Sequence, residues 1–264
     1  MWEAGTACWR PLATAFLLKW PTLQKVMKVK TATLMQFYYV HGSRSEKAIE
    51  RRLTLIEQAV PLTDEPALLE SFTLRVQLIC RELKLVVNAI KDYDRQIAEA
   101  FEAHPDREIF RNLPGAGPTF APRLLASLGS QRERFADAAA LQHYSGIAPV
   151  TKQSGGKRHV HRRYLCPKFL RQSFHEYAKE SILHSRWAAA FYQQQREKGC
   201  PHHTAVRALA FKWQRIIFRL WQDQQVYREE TYEAALKKTR SPLVARLEQI
   251  EVGKSPFKNP AKKN

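Results

Sequence analysis

Acidic residues are missing where basic ones crowd. Between Asp137 and Glu176 the chain has neither Asp nor Glu, yet Lys152, Lys157, Arg158, Arg162, Arg163, Lys168 and Arg171 all fall in that interval. Aspartate is also absent before Asp64, and the first fifty residues offer only Glu3, Glu46 and Glu50. A metal-dependent nuclease site needs several converging carboxylates, which this segment does not supply. Cysteine is sparse: Cys8, Cys80, Cys166 and Cys200 are scattered, with no C-x-x-C pair. That argues against a disulfide framework and against a structural zinc site. The Cys200-Pro-His202-His203 cluster has a spacing that fits no common ligand set, so no metal is assigned to it. No stretch approaches the ~20 apolar residues needed to span a bilayer. The short apolar piece Ala13–Leu18 follows Arg10-Pro11 without a convincing cleavage site, so it does not read as a signal peptide.

The 264 residues allow one large domain or two smaller ones, and a hydrophobic content of 44% excludes wholesale disorder. The net charge is +18, an excess that suits a nucleic-acid partner and, less well, an anionic membrane. The charge concentrates around Ser154, which is followed by Gly155 and Gly156. A serine in a flexible turn ringed by cations can bind a phosphate or attack one. It can also be an ordinary serine in a solvated basic loop.

In chain order, residues 1–43 contain apolar clusters (Phe16–Leu23, Leu34–Tyr39) too small to make a core alone. Ser45–Ala59 reads as a short helix, and Pro61 and Pro66 bracket a break. Leu69, Phe72, Val76, Ile79, Leu83, Val86, Ile90, Tyr93, Ile97 and Ala100 then recur in steps of three and four. Such a seam predicts a long helix that either packs on its own domain or, the favoured reading, forms a coiled-coil arm. His104-Pro105 ends it. Leu113-Pro-Gly115-Ala-Gly117-Pro-Thr119 resembles the turn of a helix-hairpin-helix, whose backbone N–H groups face a DNA phosphate. The alternative is a plain turn between packed helices. Pro122 departs from the usual pattern, being tolerable only in a first helical turn. Phe135–Tyr144 predicts another short helix, and the Ser154 loop has the two glycines of a β-hairpin turn. Pro167 opens a helix predicted to run through Leu170, Phe174, Tyr177, Leu183 and Trp187 to Gly199, and a second follows from Pro201. Lys237–Asn264 reads as largely disordered, with a short helix at Pro242–Ile250. The expected fold is mainly α: a long coiled-coil helix, then a compact helical DNA-binding domain with a helix-hairpin-helix and a small β-hairpin. The boundaries are 1–43, a tail of a preceding domain; 44–104, the arm; 105–235, the compact domain; and 236–264, a basic tail.

Four pieces in order carry a family likeness: Leu113-Pro-Gly-Ala-Gly-Pro, Phe135 through Tyr144-Ser-Gly-Ile-Ala-Pro149, Gln153-Ser154-Gly-Gly, and Cys166-Pro-Lys-Phe-Leu-Arg171-Gln-Ser-Phe-His175. Over roughly Glu108–Tyr192 the chain resembles the C-terminal transposase domain of the IS110/IS116/IS902 insertion-sequence transposases. Trp20-Pro-Thr-Leu resembles the tail of that family's N-terminal domain. The resemblance implies a site-specific DNA recombinase in which a RuvC-like domain carries four acidic ligands for Mg²⁺ and the C-terminal domain carries a serine nucleophile. Ser154 matches that serine. The resemblance also implies a structured guide RNA, a homo-oligomer assembled through the coiled coil, and a prokaryotic, nucleoid-associated location. DNA contacts are expected from Gly115, Gly117, Thr119, Lys152, Lys157, Arg158, Arg162, Arg163, Lys168 and Arg171. Cys166-Pro-Lys168 stands where many relatives have Lys-Arg-Gly-Asn. With no Asp before Asp64, the acidic site is expected outside this chain, which then carries no cofactor of its own. The chain alone is accordingly expected to bind nucleic acid without joining strands. The competing reading is a non-catalytic nucleic-acid-binding protein that modulates a full-length transposase.

Overall fold

The computed structural model describes residues 10–161 and 163–247. The chain divides into two compact units, residues 1–96 and 97–264, and each has its own apolar core.

In the first unit, α1 (Pro11–Lys19), α2 (Leu23–Met27), α3 (Thr31–Val40) and α4 (Glu46–Glu57) precede a long helix. Local chemistry sets their starts. Thr22 accepts a hydrogen bond from the Lys25 N–H, and Ser45 accepts one from the Ala48 N–H. Phe16, Trp20, Phe37 and Tyr38 form an aromatic cluster with Phe16–Trp20 and Trp20–Phe37 centroids 5.2 and 5.0 Å apart, edge to face. The helices before residue 43 do not close this core by themselves. Ile49 and Ile56 of α4 complete it.

The long helix, α5 (Pro66–Ala103), has 38 residues, a length of about 57 Å at 1.5 Å per residue. Its start at Pro66 and its stop before His104-Pro105 follow the sequence. Its apolar seam lies on the surface: Phe72, Ile79, Val86, Ile90, Tyr93 and Ile97 are exposed, and Leu69, Val76 and Leu83 are half-buried.

The second unit begins with the end of α5 and continues through α6 (Arg107–Arg111), α7 (Gly117–Leu128), a 3₁₀ turn (Arg132–Arg134) and α8 (Ala138–Tyr144). A hairpin of β1 (Val150–Ser154) and β2 (Lys157–His161) follows. The unit closes with α9 (Lys168–Ser181), α10 (Arg186–Glu197), α11 (His202–Gln222), α12 (Glu229–Lys238) and α13 (Val244–Leu247). Its core holds three fully buried tryptophans, and each ring N–H has an acceptor, as buried indoles require. Trp187 donates to the Tyr227 hydroxyl at 2.7 Å, Trp213 to Ser181 Oγ at 2.7 Å, and Trp221 to the Gly129 carbonyl at 3.0 Å.

Three elements differ from the sequence reading. The helix expected from Pro167 to Gly199 is two helices, broken at Ile182–Ser185. Ser185 Oγ caps α10 by accepting from the Ala188 N–H and donates to the Glu229 carboxylate at 2.8 Å, so the chain turns there and Ile182 enters the core. The helix expected from Phe135 starts at Ala138, because Asp137 caps it by accepting from the Ala140 N–H at 2.7 Å. Pro122 lies inside α7, beyond its first turn. Farther on, Leu236, Leu243 and Leu247 are buried in the core, and residues 248–264 of the basic tail lie outside the described residues.

Candidate nucleic-acid interface and nucleophile

The hairpin that carries Ser154 grows from a rigid foot. At the end of α8, Gln142 donates to the Phe211 carbonyl of α11 at 2.7 Å, and its own carbonyl accepts from the Ala148 N–H at 2.9 Å. Gln214 of α11 donates to the buried Ser145 Oγ at 2.7 Å. Ile147 and Ala148 are buried beside these bonds. The chain therefore leaves the core at a fixed point, and beyond it the described side chains of residues 151–161 are exposed.

The strands pair antiparallel in the register Val150↔His161, Thr151↔Val160, Lys152↔His159, Gln153↔Arg158 and Ser154↔Lys157. Gly155 and Gly156 form the two-residue turn. Gly155 has φ +56°, the sign that a type II′ turn requires at its first central residue. Because side chains alternate across a strand, positions 150, 152, 154, 157, 159 and 161 share one face. Ser154 thus sits opposite Lys157 and diagonal to His159. The rings of His159 and His161 stack along the same face with centroids 6.1 Å apart. Simple alternation along Lys157–His161 carries this information in the sequence.

The expected nucleophile and the ten expected contact residues occupy different settings. Ser154, and Lys157 and Lys168 among the contacts, are exposed, with Lys168 at the start of α9. Positions 152 and 158 are fixed by the strand register, and Arg162 lies outside the described residues. Arg163 is half-buried and donates from Nη2 to His143 Nδ1 at 3.1 Å. Arg171 is also half-buried. Its Nη1 donates to Cys166 Sγ at 3.4 Å and to the Arg163 carbonyl at 3.5 Å, so it holds the turn after the hairpin together. Glu176, the first acid after the basic run, is already engaged. Burial pushes its carboxyl up, but hydrogen bonds from Gln172 and Arg123 outweigh that and hold it below the ordinary value. The Arg123–Glu176 contact is 2.9 Å.

The α6–α7 turn separates its two glycines. Gly115 has φ +74°, and a Cβ there would lie 2.6 Å from the His184 ring, so its missing side chain serves packing. Gly117 has φ +51° and open space around it, and Thr119 beside it is exposed. The first-turn N–H groups of α7 at residues 117 and 119 have no partner within the helix itself.

A second set of ring nitrogens gathers at the start of α11. His175 and His203 have ring centroids 5.7 Å apart, His202 and His203 4.9 Å, and Tyr192 Oη lies 2.8 Å from His202 Nδ1. Burial lowers the pKa of His175, and neighbouring cationic groups lower it further. Among the described residues no group of three His, Cys, Asp or Glu side chains could hold a metal ion. Among the described residues no helix is long and apolar enough to cross a membrane.

Residues 107–193, from α6 through most of α10, match the family model described as Transposase IS116/IS110/IS902 family. Over this region the chain is similar to the IS116/IS110/IS902 transposase family. The matched region contains the α6–α7 turn, the Ser154 hairpin and its foot. The chain is similar to the mini-circle protein of IS117 from Streptomyces coelicolor, 32% identical over 228 residues, which are 86% of this chain and 55% of that protein. It is 31% identical to the insertion element IS900 42 kDa protein of Mycobacterium paratuberculosis, over 61% of this chain and 40% of that protein. It is 27% identical to the IS110 43.6 kDa protein of Streptomyces coelicolor, over 69% of this chain and 46% of that protein. The chain spans about half the length of the curated relatives it matches.

Proposed function

We propose that this chain is the DNA-binding and nucleophile-bearing part of an insertion-sequence transposase, with Ser154 as the attacking group. The observation that carries the reading is the placement of Ser154. It is exposed at the end of β1, opposite Lys157 across a glycine turn, inside the family-matched region and within a run that lacks acids. A phosphodiester backbone brought to this hairpin meets cations on both strands, and the open N–H groups at the start of α7 add contacts that position a duplex without reading its sequence.

In the proposed step, Ser154 Oγ bonds to a DNA phosphorus while the bond from phosphorus to the departing strand-end oxygen breaks. Serine is a weak nucleophile until its proton leaves. His159, on the same face, takes that proton. Lys157 and the hairpin arginines stabilise the negative charge that grows on the phosphoryl oxygens. The phosphoserine ester keeps the energy of the broken bond, so an incoming strand-end hydroxyl reverses the step and frees the serine. The Mg²⁺ that the family resemblance implies finds no set of three suitable side chains among the described residues, and the roles assigned here belong to this chain's own groups. A structured guide RNA and self-association through the exposed α5 seam belong to the same proposal.

The binding half is tested by fluorescence anisotropy with a labelled duplex over a range of salt concentrations. Binding that weakens linearly in log–log form as salt rises is expected. No binding at low salt would overturn the reading.

A further inference from the structure

At the foot of the hairpin a groove of about 640 Å³ is lined by His143, Tyr144, Arg163, Leu165, Cys166 and Pro167. Its walls mix two chemistries. Leu165 is 96% exposed and Tyr144 48%, so an apolar side chain and an aromatic ring both face solvent. Beside them stand guanidiniums. Arg134 lies over the Tyr144 ring at 6.0 Å from its centroid, and Arg163 lines the groove itself. The Arg163 Nε is buried and has no hydrogen-bond acceptor among the described residues. A buried charged donor without an acceptor costs stability unless a ligand supplies one.

His143 adds orientation. Arg163 Nη2 can only donate, so His143 Nδ1 accepts, and the ring proton sits on Nε2. The groove therefore offers a π face, an apolar wall, a ring N–H donor and a guanidinium. That set matches one flat heteroaromatic base with its attached phosphate. A wholly paired duplex keeps its bases stacked inside and presents none to such a wall.

We propose that this groove receives one unpaired nucleotide of the DNA strand held by the hairpin, with the base against Tyr144 and Leu165 and the phosphate on Arg163. This rests on the DNA-binding reading above and adds a substrate class to it: DNA with an extruded or unpaired base at the foot of the hairpin, the length of strand β1, about 13 Å, from Ser154 at its tip. The strand is pulled out of its stack at the foot of the hairpin, and its continuation runs along the hairpin toward the serine. Charge complementarity selects a nucleic acid over an apolar peptide, because the groove is flanked by arginines and the run from 138 to 175 has no acid. Tyr144, His143 and Leu165 were not singled out by the sequence reading. In the sequence Tyr144 is a helix end and part of a family-like stretch, with no role of its own.

The test compares three labelled probes at equal salt: a paired DNA duplex, the same duplex with one bulged 2-aminopurine deoxynucleotide, and an RNA duplex with the same bulge. The expected result is about tenfold tighter binding of the bulged DNA than of the paired DNA, the scale of one base stacked on an aromatic ring. Quenching of the 2-aminopurine on binding is also expected. Leu165→Ser, a change at an exposed side chain that leaves the fold intact, and Tyr144→Ala should both remove the preference and the quenching while keeping paired-duplex affinity. Equal affinity for paired and bulged DNA would overturn the proposal, as would a preference that survives both substitutions or a preference for the RNA bulge alone. Loss of binding to all three probes by the unmodified protein would instead overturn the DNA-binding reading beneath it.

Discussion

Gly146 and Cys166 meet so closely that a Cβ on Gly146 would lie 2.3 Å from the cysteine Sγ and 2.7 Å from its Cβ. The glycine also has φ +73°. This contact clamps the two ends of the hairpin segment, one where the chain leaves α8 and one where it returns to α9. Gly146→Ala combines left-handed backbone strain with overpacking, and a loss of about 2–4 kcal/mol is expected. Gly117→Ala has the strain alone, since nothing lies within 4 Å, and about 1–2 kcal/mol is expected. Urea denaturation of both variants checks the order of the two losses.

Binding should divide the basic residues by their settings. Lys157→Ala removes an exposed charge, and the slope of log affinity against log salt should fall by about one with stability unchanged. Arg171→Ala breaks the bonds to Cys166 Sγ and the Arg163 carbonyl. It should lower the melting temperature as well as the affinity. Anisotropy and thermal melts on the two variants separate these effects.

Acid should weaken the fold before it protonates any carboxylate. Burial lowers the pKa values of His175 and His202 below the ordinary 6.5. His203 lowers both further, Arg207 acts on His175, and Lys179 and Arg196 act on His202. The unfolded chain then binds protons that the folded chain resists, so stability falls as pH drops through and below 6.5. Melting temperature should be flat above about pH 7.5 and lower at about pH 5.5. His175→Asn should flatten part of that fall. Glu176 and Glu197, both held below the ordinary carboxylate value, act only in a separate, more acidic limb.

The exposed seam of α5 predicts self-association. Ile79 and Ile90 are exposed, so Ile79→Glu with Ile90→Glu should leave helix content unchanged while reducing a concentration-dependent dimer to monomer in sedimentation equilibrium. A wild-type protein that stays monomeric throughout would contradict this.

The two glycine turns, the long helix and the hairpin were legible because each has a local cause: left-handed glycines, a three-and-four apolar repeat, a pair of apposed strands. The break at Ile182–Ser185 was not legible. Leu183 and Trp187 continue a helical stripe, and the signal that ends it is the bond from Ser185 to Glu229, 44 residues away. The same limit hid the groove. Tyr144, Arg163 and Leu165 come together only because Gly146 and Cys166 bring the ends of the hairpin side by side. Gly115 illustrates the reverse. Its residue type is legible in the sequence, but the His184 ring that packs where a Cβ would lie is not.

The central claim concerns Ser154, and covalent capture tests it most directly. A DNA substrate with a bridging sulfur at the departing strand end releases a good leaving group, so attack needs no help at that atom and the ester accumulates. The wild-type chain should form a denaturant-resistant adduct whose phosphorylated peptide contains Ser154, and Ser154→Ala should form none while binding the DNA equally well. Absence of an adduct with wild-type protein that binds the DNA, or an adduct that persists in Ser154→Ala, would contradict the assignment.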